Sequence, residues 1–132
     1  MTHKTYVTVR GYECDSYRHV NNAVYLNYLE HARMDFLNAA CFDYAELVKR
    51  GYALYVTHID IHYKNAAVLN DELVIETTPV DLKRVSGTYH QKISRTGGHV
   101  CAEADVTWAC VLQDGVKLSP IPADLMNEAL KP

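Results

Sequence analysis

Only one stretch of this chain is both long and helically periodic, and nearly everything after it alternates. Val24, Tyr25, Tyr28, Leu29, Ala32, Phe36, Leu37 and Ala40 recur at steps of three and four from Ala23 onward, the signature of an amphipathic helix. Asn21 or Asn22, just before, is of a favoured capping type. Residues 6–10 read as a first strand. After a short helical segment over 44–50, stopped at Gly51, strands are predicted over 52–64, 72–82, 87–95 and 99–112. In the first of these, Ile59, Ile61 and Tyr63 share one face and His58, Asp60 and His62 the other. Gly97-Gly98 is a hairpin signal and Asp114-Gly115 marks another turn. Ser119-Pro120-Ile121-Pro122 breaks the last strand, and residues 123–130 read as a terminal helix. The predicted order is strand, long helix, then four antiparallel strands in a meander. One apolar helix beside a sheet able to cover it is an α+β layout.

The bulk numbers narrow the class. At 132 residues the chain is expected to form one domain, 1–132. With 48% apolar and 22% charged residues it falls among globular chains. A net charge of −3 gives no overall field to recruit nucleic acid, and leaves room for a small polyanion on a local basic patch. No apolar run reaches the roughly 20 residues that span a bilayer, so no membrane insertion is expected. Met1-Thr2-His3-Lys4-Thr5 lacks the apolar core of a signal peptide. The four cysteines form no Cys-x-x-Cys pair, so reduced thiols and a cytoplasmic location are expected.

Chemistry is concentrated in the loop before the long helix. Asp15 lies seven residues ahead of Asn22. The first amides of a helix have no intrahelical partner, and the helix dipole is positive there, so this end stabilises an anion. A carboxylate beside such an end is suited to attack on a carbonyl, as general base toward water or as direct nucleophile. An Asp in this place is also a common turn or cap residue. Other constellations compete. Cys14 and His19 form a conceivable nucleophile pair, but the acid beside Cys14 disfavours a thiolate. His58, Asp60 and His62 put three potential ligands on one strand face; a solvated or subunit-contact surface is the expected reading, with no metal. Glu30 and Arg33, three apart, read as a helix ion pair.

The segment Asp15-x-x-x-His19-Val20-Asn21-Asn22-x-x-Tyr25, followed by Tyr28-Leu29-x-x-x-Arg33, resembles the active-site signature of hotdog-fold acyl-CoA thioesterases of the 4-hydroxybenzoyl-CoA thioesterase type, and within them the long-chain acyl-CoA branch. The likeness continues through Ile61-His62-Tyr63-Lys64-Asn65-Ala66-Ala67, Asp71-Glu72-Leu73 and Ser119-Pro120-Ile121-Pro122. It implies a hotdog fold, a curved five-stranded antiparallel sheet around a central helix. It also implies hydrolysis of an acyl-CoA thioester, medium- to long-chain fatty, without a cofactor. Asp15 would be the catalytic carboxylate and the Asn22 amide the oxyanion donor, with His19 polarising the site or bracing its loop. Asn21 and Tyr25 would flank the substrate, and tyrosines would line an acyl tunnel between helix and sheet. Lys83, Arg84, Ser86, Gly87 and Thr88 would line the groove for the pantetheine arm and phosphates. The resemblance implies a homodimer or homotetramer with sites at the interface. A hotdog hydratase–dehydratase, or a non-catalytic module binding acyl-CoA or acyl carrier protein, is the alternative.

Overall fold

A computed structural model describes residues 1–132. Its elements are β1 (His3–Thr8), α1 (Asn22–Ala39), α2 (Tyr44–Lys49), β2 (Tyr52–Tyr63), β3 (Glu72–Leu82), β4 (Ser86–Arg95), β5 (Val100–Leu112) and β6 (Lys117–Leu118). Asn21 caps α1: its side chain accepts from the Ala23 amide at 2.9 Å. The strands form one antiparallel sheet in the order β1-β3-β4-β5-β2, with the two-residue β6 added to the end of β5.

Two expectations need correction. The four later strands are not a simple meander. Only β3, β4 and β5 follow one another; β2 crosses to pair with β5, and β1 takes the place beside β3. Alternation identifies a strand but carries no information about its partner. The terminal helix over 123–130 is absent. A turn there leads to a single 3₁₀ turn, Glu128–Leu130. Asn127 starts it: its side-chain Oδ1 accepts from the Ala129 amide at 2.8 Å, and its side-chain Nδ2 donates to the Ala40 carbonyl at 2.8 Å. Eight residues are too few to hold a helix against such ties, and Leu130 is drawn into the core.

α1 lies along the inner face of the sheet. Tyr25, Tyr28, Leu29 and Ala32 pack with Leu73, Ile75, Ile93 and Val106; Phe36 and Leu37 pack with Tyr89, Trp108 and Leu130. The helix backbone approaches β1 and β3 most closely, while α2 rests on β2. A β-bulge between Val56 and His58 adds one residue to β2. It shifts the alternation by one, so Leu54 and Val56 before it and Ile59 and Ile61 after it face the same side. A second bulge, between Pro79 and Asp81 of β3, leaves Val80 exposed and Leu82 turned inward. β2 is an edge strand of 12 residues, and Tyr55, Val56 and Tyr63 on it are each more than two-fifths exposed.

Candidate active site

The loop between β1 and α1 is shaped by its carboxylates. Glu13 is buried, and both its oxygens are used. Oε1 accepts from the Arg10 amide at 2.8 Å and the Tyr28 hydroxyl at 2.9 Å, and Oε2 pairs with the Arg10 guanidinium at 2.7 Å. Its carbonyl accepts from the Asn21 amide at 2.9 Å, which ties the loop to the helix cap. Burial pushes the Glu13 carboxyl up, but the bonds from Arg10 and Tyr28 outweigh it and hold it below the ordinary glutamate value. Burial, with Glu13 beside it, raises the Tyr28 phenol. Nothing in the sequence pattern distinguishes Glu13 from a solvated loop acid.

From there the chain makes a small hairpin. Cys14 pairs with Val20, the Asp15 amide donates to the His19 carbonyl at 2.8 Å, and Arg18 closes the turn at a φ of 64°. One oxygen of Asp15, Oδ1, accepts from the Tyr17 amide at 2.9 Å and the His19 amide at 3.2 Å. The turn reading of Asp15 is therefore correct, and it coexists with an exposed carboxylate whose Oδ2 makes no hydrogen bond within the protein. Asp15, His19, Asn22 and Tyr25 line one open cleft of about 400 Å³ with Tyr63, Lys64 and Asn65. At its helix end the Asn22 amide has no acceptor within the chain, because the Asn21 side chain is spent on Ala23. The Tyr63 hydroxyl donates to the Asn22 carbonyl at 3.0 Å, and the Tyr25 hydroxyl accepts from the Ala67 amide at 3.0 Å. Tyr63 fixes the start of α1 from the edge strand. The alternation of the strand places Tyr63 only on the face it shares with Ile59 and Ile61.

One cleft is therefore lined both by a residue with an unbonded carboxylate oxygen, Asp15, and by a residue with a free helix amide, Asn22. Asn21 serves as the cap. His19 is exposed and adds its backbone to the Asp15 hairpin. Cys14 points its thiol at the Arg10 carbonyl, 3.8 Å away.

Lys83, Arg84 and their neighbours lie elsewhere. Lys83 and Arg84 line a second cleft of about 450 Å³ with Leu82, Trp108, Ile121 and Met126. The turn is closed by the Lys83 amide on the Ser86 carbonyl at 2.7 Å. Ser86 is level with Ala109 and so with Tyr55, whereas the Asp15 cleft is level with Tyr63. Along β5, from Ala109 to Ala102, that is about 23 Å, so one chain does not bring the two groups together. Gly87 has a packing role: a Cβ there would fall 2.5 Å from the Trp108 ring. Thr88 pairs across the strands with Thr107, hydroxyl to hydroxyl at 3.2 Å.

The remaining candidates settle into ion pairs. Glu30 bonds to Arg33 on the helix. Asp60 and His62 stand 3.1 Å apart on the outer sheet face, and no three His, Cys, Asp or Glu side chains group as metal ligands. No helix is long and apolar enough to cross a membrane.

Residues 9–129 match the thioesterase-like superfamily. The chain is 40% identical to the long-chain acyl-CoA thioesterase FadM of Escherichia coli K12 over 110 residues, 82% of each protein. Among solved structures it is similar to YbaW, a probable thioesterase from Escherichia coli, at 36% identity and a TM-score of 0.80, covering 92% of each chain. It also resembles Slr0204, a 1,4-dihydroxy-2-naphthoyl-CoA thioesterase from Synechocystis, with a TM-score of 0.86 over 92% of this chain and 90% of that one. At 19% identity that likeness concerns the fold, a curved antiparallel half-barrel with one long helix, the hotdog fold. By family match and by identity over most of its length, the chain belongs to the thioesterase-like superfamily and is a thioester hydrolase.

Proposed function

We propose that residues 1–132 act as one hotdog domain that hydrolyses medium- to long-chain fatty acyl-CoA in the cytoplasm to free acid and coenzyme A. The observation that carries this reading is the pairing, in one cleft, of the Asp15 carboxylate with the unbonded Asn22 amide. The names of the relatives support the acyl-CoA substrate. Water attacks the thioester carbon while Asp15 Oδ2 takes its proton, and the carbonyl oxygen gains negative charge against the Asn22 N–H. The carbon–sulfur bond then breaks, the carbonyl re-forms and the coenzyme A thiolate leaves, taking up a proton. If Asp15 attacks directly, it forms a mixed anhydride that water cleaves to the same products. The backbone bonds to Oδ1 hold the carboxylate in place for either role.

The acyl chain is assigned to a lane between α1 and β2. Its walls are Leu26 on the helix and Ile59 and Ile61 on the strand, apolar side chains only half buried against the core. Two copies joined through β2, antiparallel about a two-fold axis, would pair that open edge and roof the lane. The same operation carries the Lys83–Arg84 turn of a second copy toward the Asp15 cleft of the first. We assign that turn to the coenzyme A phosphates.

Asp15→Asn is the test. An amide cannot accept the proton or attack the carbon, so turnover on a panel of acyl-CoA chain lengths should fall at least about 10³-fold, with binding and thermal stability kept. Turnover within a few-fold of wild type would remove Asp15 from the mechanism.

A further inference from the structure

The free N–H of Asn22 belongs to the peptide that joins Asn21 to Asn22, and that peptide lies between two fixed points. On the loop side, the Asn21 amide donates to the Glu13 carbonyl at 2.9 Å. The Asn21 carbonyl accepts from the Val24 amide at 2.9 Å, and its side chain from the Ala23 amide at 2.9 Å, within the first turn itself. On the helix side, one bond from outside α1 reaches the Asn22 backbone. The Tyr63 hydroxyl donates to the Asn22 carbonyl at 3.0 Å. Helix ends fray when nothing outside the helix holds them.

The donor is part of a frame. Tyr63 is the last residue of β2. Just beyond it, the Lys64 and Asn65 amides donate to the Cys101 carbonyl at 2.8 and 3.2 Å, and the Asn65 side chain donates to the Val100 carbonyl at 2.8 Å. These bonds seat the segment on the start of β5. Two residues further on, Ala67 reaches both walls of the cleft. Its carbonyl accepts from the Val20 amide at 2.9 Å, where the Asp15 hairpin ends. Its amide donates to the Tyr25 hydroxyl at 3.0 Å, in the first turn of α1. Tyr25 is buried, and its ring meets the Tyr63 ring edge-on with centroids 5.4 Å apart. Ala67 thus ties down the carboxylate side and Tyr63 the amide side, and both belong to one segment docked on the sheet.

We propose that Tyr63 is a positioning residue for the hydrolysis: by holding the Asn22 carbonyl it fixes the direction of the Asn22 N–H relative to Asp15, and so sets how well the developing oxyanion is met. The assignment deepens the thioesterase reading and rests on it for the role of the Asn22 amide. An oxyanion donor must lie about 2.7–3.1 Å from the place the oxygen takes in the transition state, and it acts fully only when ordered beforehand. An unheld first turn samples other directions. The charge on the carbonyl oxygen grows only as the thioester is attacked, so loss of order at the donor lowers kcat and leaves ground-state binding of acyl-CoA intact. Tyr63 itself touches no reacting atom.

The test is Tyr63→Phe, which keeps the ring against Tyr25 and removes only the donor. The side chain is half exposed, so water replaces the lost bond and the thermal midpoint should stay close to wild type. Across the acyl-CoA panel kcat should fall about three- to tenfold, with KM within about twofold of wild type. Residue-resolved amide exchange gives a readout independent of turnover. The Ala23 and Val24 amides should exchange about three- to tenfold faster in the variant, and amides from Ala32 onward at the wild-type rate. A fall in kcat with first-turn exchange unchanged, or a raised KM with kcat kept, would make Tyr63 a substrate contact and overturn the proposal. A large drop in thermal midpoint would overturn it too, since the bond would then hold the fold rather than the site. Hydrolysis that Asp15→Asn silences and Tyr63→Phe leaves at the wild-type kcat refutes the proposal alone. No hydrolysis of any acyl-CoA by wild type removes the thioesterase reading, and the proposal with it.

Discussion

Glu13 does more for this site than its place in the sequence suggests. It joins three parts of the molecule: Arg10 at the end of the first strand, Tyr28 in the helix, and the Asn21 cap through its carbonyl. The Asp15 hairpin hangs between the two ends so fixed. Glu13→Gln keeps the shape but loses charge-assisted bonds in a buried place, and should cost about 1.5–3 kcal/mol. The pH dependence follows from the direction of the shift. The folded carboxyl sits below the ordinary value of 4.5, so its contribution is present above that value and is lost as pH falls through the lower folded one. Denaturant melts of wild type should therefore weaken below pH 4.5, and Glu13→Gln should show a flatter acid limb. Parallel acid limbs in the two proteins would show that Glu13 is not the group titrating.

At the scale of elements, the site depends on how α1 and β2 stand apart. The helix sits toward β1 and β3, and the bulge at Val56 keeps Leu54, Val56, Ile59 and Ile61 on one face of the edge strand. Across the sheet, Gly87 on β4 makes room for the Trp108 ring on β5, which borders both the second cleft and the small cavity beside Leu54 and Val56. Gly87→Ala places a Cβ where the ring now lies, 2.5 Å from its nearest atom. The indole, 5% exposed, has little freedom to retreat. Overpacking of this kind costs about 1–3 kcal/mol. The single-tryptophan emission should shift, and hydrolysis of long acyl-CoAs should fall more than that of short ones. An unchanged emission maximum and midpoint would mean the ring yields freely.

For the whole molecule, the proposed dimer makes a prediction that one chain cannot satisfy alone. Asp15 and the Lys83–Arg84 turn lie at opposite ends of one sheet. If a second copy supplies the turn, sites mix when subunits mix. Asp15→Asn should be nearly inactive, and the double variant Lys83→Ala/Arg84→Ala should have a raised KM with kcat largely kept. After subunit exchange, one site of each hybrid has an intact Asp15 from one chain and an intact turn from the other, so a low-KM fraction should reappear. Sedimentation should show the oligomer dissociating in the same concentration range as activity is lost. Absence of the low-KM fraction in a verified hybrid would place both groups' action within single subunits.

What the sequence determined is local. The helix from Ala23, the four later strands within a residue of their ends, and the Asp15-to-Asn22 spacing were all legible, because side-chain periodicity and capping chemistry act over a few residues; the first strand, read over 6–10, runs instead from His3 to Thr8. Family membership was legible too, carried by the short pattern from Asp15 to Arg33 and borne out by the superfamily match. What only the tertiary structure decided is whatever depends on partners distant in sequence. Strand order is one case, since β2 reads identically whichever neighbour it takes. The failed terminal helix is another, because Asn127 answers to Ala40 rather than to its own neighbours. The separation of Lys83 from Asp15, the burial of Glu13 and the bond from Tyr63 to the start of α1 belong here as well. Each is fixed by contacts between elements, whose free energies override local preference and leave no periodic trace in the chain.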